Sequence, residues 1–97
     1  MHVEAQDGTV ILKVLGGSFA SRDAERMAEL LGSLAPFSQL VLDFSKVRQC
    51  DNAALLPLVE MLRRFRNAAV VLRGLTLHEA RLLRYLGLRA SEVQARA

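Results

Sequence analysis

The stretch RQCDNAAL, residues 48–55, gathers a thiol, a carboxylate and an amide just ahead of a helix-like run. A cysteine before a helix start can be held as a thiolate, although a lone buried thiol is the better reading of Cys50. Asp51 suits an N-cap, where a carboxylate accepts from backbone N–H groups two or three residues on. Asn52 then projects beside unpaired donors at the positive end of the helix dipole, where an anion is favoured. A phosphorylated side chain there would be tolerated by its own helix while changing what the surface presents. Elsewhere the chemistry is thin. His2 and His78 have no adjacent nucleophile, and no paired-carboxylate or Cys/His metal spacing occurs. Gly16-Gly17-Ser18 lacks the lysine and the spacing of a phosphate loop, so it reads as the end of a strand. These residues point away from an enzyme and imply no cofactor and no metal.

The chain has 97 residues, 52% hydrophobic and 24% charged, enough for one domain with one core. We expect a single domain over residues 1–97, with 88–97 forming a short terminal strand or a tail. No apolar run approaches the ~20 residues that span a bilayer, and the start lacks the basic head and apolar stretch of a signal peptide. One cysteine gives no disulfide framework, which suits a reducing cytoplasm. Charge is uneven. Residues 1–47 hold four Lys/Arg against six Asp/Glu, net −2, and residues 48–97 hold nine Arg against four Asp/Glu, net +5. A positive C-terminal half suits an acidic protein surface. With one Tyr, four Phe, no Trp and no nucleic-acid motif, it argues against nucleic acid.

The elements that must hold RQCDNAAL follow from period and punctuation. Asp7-Gly8 is a two-residue hairpin turn between His2–Ala5 and Thr9–Leu15. Ala24, Met27, Ala28, Leu31 and Leu34 fall on one helical face, with Ser21 as a plausible N-cap and Pro36 past the end. QLVLDF reads as a buried strand. Residues 53–66 form a helix whose core face is Leu55, Leu58, Val59, Leu62 and Phe65, and Pro57 should distort its first turn. Leu56 lies about a quarter-turn off that face and should be at least partly exposed. AVVLR is a further strand, closed by Gly74. Thr76-x-x-Glu79 is a capping box for a last helix, which Gly87 stops. The order β-β-α-β-α-β-α predicts an α/β fold: a mixed sheet, an antiparallel hairpin joined to parallel strands, packed with three main helices.

The run LVLDFSKVRQCDNAAL, with the leucine-rich helix after it and then VVLRGL and LLRYLGL, resembles the STAS domain of bacterial anti-sigma factor antagonists. The resemblance extends from the hairpin to Gly87. It implies a helix start reading Asp, Ser or Thr, a small residue, Gly, Leu. Asp51, Ala53 and Leu55 match it; Asn52 stands at the phosphoacceptor and Ala54 at the glycine. Asp43 matches the acidic residue at the preceding strand end, and Ser45 is a hydroxyl close by.

Two roles follow from the resemblance. The first is a protein-binding regulatory module that occupies an anti-sigma factor, with Asn52 leaving out the usual phosphorylation switch. The second is a small STAS subunit of a bacterial phospholipid-transport ABC system, docked on its ATPase and not inserted in the membrane. Either role implies a partner surface made by Asp43, Ser45, Asp51, Asn52, Ala53, Leu55 and Leu56.

Overall fold

Hydrophobic runs with a period of two and a period of 3.6 alternate along the chain, and the computed structural model, which describes residues 1–88 and 92–95, resolves them into a five-stranded sheet with three helices. The sheet order is β1-β2-β4-β6-β7, formed by β1 (His2–Gln6), β2 (Thr9–Lys13), β4 (Gln39–Asp43), β6 (Ala69–Leu75) and β7 (Glu92–Ala95). β1 runs antiparallel to β2, and the other neighbours are parallel. Asp7 and Gly8 carry φ of 52° and 80°, the doubly left-handed turn that a tight hairpin demands. The expected terminal strand is present at Glu92–Ala95, while residues 89–91 and 96–97 lie outside the described residues.

Leu40, Val41 and Leu42 on the central β4 are all buried, as befits a strand covered on both faces. Helix α1 (Ser21–Leu34) adds Ala24, Met27 and Leu31 to the core, and helix α2 (Leu55–Arg64) adds Leu55, Leu58, Val59, Met61 and Leu62. Helix α3 (Leu77–Tyr85) contributes Leu83. Phe19 and Phe44 meet edge to face, centroids 5.2 Å apart. The capping box forms as its sequence demands: the Glu79 amide donates to Thr76 Oγ1 at 3.1 Å and the Thr76 amide to the Glu79 carboxylate at 2.9 Å. Gly87, at φ 96°, reverses the chain after α3, with its amide on the Arg84 carbonyl and the Leu88 amide on that of Leu83.

Three local expectations change. Ser21 is not the N-cap of α1. Pairing of β3 (Ser18–Phe19) with β5 (Gln49–Cys50) keeps the chain extended only as far as Ala20, which becomes the cap while Asp23 accepts from its amide at 2.8 Å. The helix expected over 53–66 splits into a 3-10 turn, Asn52–Ala54, followed by α2, the distortion that Pro57 required. Gly74 does not close its strand. It sits inside β6 at φ 79°, at an irregularity in the pairing with β7, where the Phe44–Ser45 backbone crosses directly above it.

A Cβ on Gly74 would overlap the Ser45 backbone and lie 2.8 Å from the Phe44 carbonyl carbon, so both conformation and space forbid a side chain. Gly74→Ala should lower unfolding free energy by about 2 kcal/mol or more in urea denaturation. Gly17→Ala, whose Cβ meets nothing within 4 Å, should leave it nearly unchanged. Equal behaviour of the two variants would contradict this account of the crossing.

Candidate functional site

Asn52 reaches the surface because the residues on either side of it are anchored. On the N-terminal side, β5 pairs with β3, and the Asp51 amide donates to the Phe19 carbonyl at 2.9 Å. The Asp51 carboxylate then turns back and accepts from the Ala53 amide at 3.0 Å, while its carbonyl accepts from the Ala54 amide at 2.9 Å. This is the expected cap, placed on a 3-10 turn. On the C-terminal side, Ala54 and Leu55 are fully buried and pin the turn to the core. Asn52, Ala53 and Leu56 are left exposed, Leu56 by 46%.

Pro57 adds a constraint. It has no N–H to donate to the carbonyl four residues back, that of Ala53. The Ser21 hydroxyl, from the first turn of α1, donates to that carbonyl at 3.1 Å. The tip is therefore tied to a helix 32 positions away in sequence. Sequence reasoning missed this role for Ser21. The available signal was Pro57 itself, which deprives one identifiable carbonyl of its usual helical donor. Ser18, Ala20, Gln49 and Asn52 help to line a shallow, open cleft of about 470 Å³ beside the tip.

The expected site residues fall into three groups. Asp51, Asn52, Ala53 and Leu56 come together at the tip. Leu55 does not join them: at 1% exposed it belongs to the core, as its helical spacing already required, and no partner can reach it. Asp43 and Ser45 form a separate turn at the end of β4, where the Asp43 carboxylate accepts from both the Ser45 amide and the Ser45 hydroxyl. Partial burial pushes the Asp43 carboxyl up, but the Ser45 hydrogen bonds and the Lys13 and Arg73 charges beside it hold it, on balance, below its ordinary value of 3.8. That carboxylate therefore stabilises the fold at neutral pH, and the contribution is lost as pH falls through the acid range. No described hydrogen bond links this turn to the tip.

The Asp51 carboxylate already holds the Ala53 amide and places a negative charge where a bound anion would sit. Among the described residues no group of three or more His, Cys, Asp or Glu side chains could hold a metal ion, and no helix is long and apolar enough to cross a membrane. His78 is exposed, as its position implied.

Cys50 takes the inert alternative. Burial pushes its thiol up to about 11, helped by the negative charges of Glu79 and Asp51. From an ordinary 9.0 this cuts the thiolate fraction at neutral pH about 100-fold. Alkylation by iodoacetamide at neutral pH should be about tenfold or more slower than for an unfolded control, since the thiolate is the nucleophile and its greater basicity recovers only part of the loss. A rate equal to the control would contradict it.

A search of curated proteins returned no match. The model of the family described as "Mlab, STAS domain" matches residues 1–93, nearly the whole chain. With a hairpin leading into a parallel sheet and a capped tip opening the second helix, the chain belongs to the STAS domain family.

Proposed function

We propose that the protein is a non-enzymatic, cytoplasmic docking module that presents the tip residues Asp51, Asn52, Ala53 and Leu56 to a protein partner. The observation that carries the reading is the exposure of Asn52 and Leu56 on a turn whose two flanks are fixed, by the Asp51 cap and the Ser21 tie. A surface held in one geometry loses less entropy on association than a mobile loop does. Asn52 supplies an uncharged amide with two donors and an acceptor, and Leu56 supplies an apolar anchor. Asparagine carries no hydroxyl to receive a phosphate, so the surface stays in its binding form. In this reading the partner is an anti-sigma factor, and the protein acts by occupying it. Asp43 and Ser45 support the neighbouring strand end and lie outside the contact.

A second reading has one observation in its favour, the name Mlab in the description of the matching family model. In that reading the protein is the small STAS subunit of a phospholipid-transport ABC system, and the tip rests on the ATPase. The two readings share a surface and differ in the protein that covers it.

Titration against the anti-sigma factor or the ATPase encoded beside its gene distinguishes them, since only one should bind. Leu56→Ala and Asn52→Asp should each weaken that complex about tenfold or more, with thermal unfolding nearly unchanged. Incubation with a cognate kinase should leave position 52 unmodified, and phosphate recovered on another residue of the tip would mean that the switch has moved. Full affinity in both variants would overturn the reading.

A further inference from the structure

We propose that the outer face of α3 is a second docking surface, separate from the tip of α2, and that it takes an acidic segment of a partner protein anchored by Tyr85 and Leu77. The exposed residues of α3 are Leu77, His78, Arg81, Arg84 and Tyr85. At 100° per residue they fill one continuous arc of about 120°. Tyr85 is 88% exposed and Leu77 56%, the largest such values among the chain's big apolar side chains (Leu15 equals Leu77). On that arc Arg81 lies between Leu77 and Tyr85, and Arg84 lies just beyond Leu77. Glu79, the single acid of the helix, is turned back onto the Thr76 amide. Across residues 63–88 the sequence has six arginines, no lysine and one glutamate.

Among the described residues no acidic side chain offsets that arrangement. Arg81 and Arg84 have no ion-pair partner among the described residues. Like charges three apart on a helix are unfavourable. The dipole accounts for Arg84, in the last turn, but not for Arg81 in the middle of the helix. A carboxylate-bearing partner removes the repulsion. Guanidinium groups grip carboxylates in a two-point fork, which a lysine cannot do. Tyrosine and arginine are also the residue types that most often dominate interface energy. An anionic membrane shares the charge preference, but two exposed apolar side chains give less insertion than the single acyl chain that is itself only a marginal anchor. The observations therefore favour a protein. The inference does not need the tip of α2 to bind anything.

The chain has one tyrosine and no tryptophan, so its intrinsic emission reports on this face alone. The probe is a synthetic amphipathic helix, free of Tyr and Trp, with leucines along one face flanked by glutamates. Its binding should reduce iodide quenching of Tyr85 severalfold. Arg81→Glu with Arg84→Glu should weaken binding about tenfold or more at low salt, and Arg81→Lys with Arg84→Lys should fall between. Asn52→Asp should bind the peptide as the wild type does, whatever becomes of the tip. Circular dichroism checks that the exposed substitutions leave the fold intact. Undiminished affinity after charge reversal, unchanged quenching at saturating peptide, or binding only to phosphatidylglycerol vesicles would overturn the proposal.

Discussion

The Ala53 carbonyl sits at the point where the second helix begins, and Pro57 has no hydrogen with which to satisfy it. Its partnership with the Ser21 hydroxyl joins the first turn of α1 to the turn that opens α2. Because the bond lies at the helix start, it orients the turn and not merely the helix axis. Asn52 and Leu56 inherit that orientation from their two sides. Ser21 is itself placed by the β3–β5 pairing, which ends the extended chain at Ala20. The exposed tip is thus the product of a two-residue pair of strands, a proline and a serine, with the hydrophobic core beneath it.

The sheet performs a different task at the same time. Asp43 and Ser45 close the end of β4, and the Phe44–Ser45 backbone passes over a glycine that admits no side chain. The Phe44 amide donates to the Arg73 carbonyl at 2.7 Å, which fastens β4 to β6 at that crossing. These bonds give an acidic residue and a hydroxyl a structural reason to stand at this strand end. Asp43, Ser45, Gly74 and Leu55 thus help to hold the frame, while Asp51, Asn52, Ala53 and Leu56 are exposed at the tip.

Much of this was legible in the sequence because local rules and tertiary context agreed. The Asp7-Gly8 hairpin, the face of α1 and the Thr76–Glu79 box each depend on residues a few positions apart, and each appears as expected. Asp51 as a cap and Leu56 as an exposed leucine also follow from helical geometry alone. What stayed hidden depends on distant partners. Nothing near Ser21 signals that its hydroxyl will serve Ala53. Gly74 looks like a terminator because glycine commonly ends strands, yet its role comes from backbone that crosses it about thirty residues away in sequence. Leu55 carried two conflicting signals, a family motif suggesting surface and a helical period suggesting core, and burial decided for the period.

The tip and the outer face of α3 present different chemistry, a neutral amide with a leucine on one and arginines with a tyrosine on the other. On the proposed readings the two faces bind different partners, provided the tip keeps its shape. Residue-resolved amide hydrogen exchange in Ser21→Ala tests that most directly. With the hydroxyl gone, exchange at the Ala53 and Ala54 amides should rise about tenfold, matching the net worth of one hydrogen bond, while amides of β2, β4 and β6 keep wild-type rates. Unchanged exchange at Ala53 and Ala54 would mean that the tie between the two helices does not hold the tip.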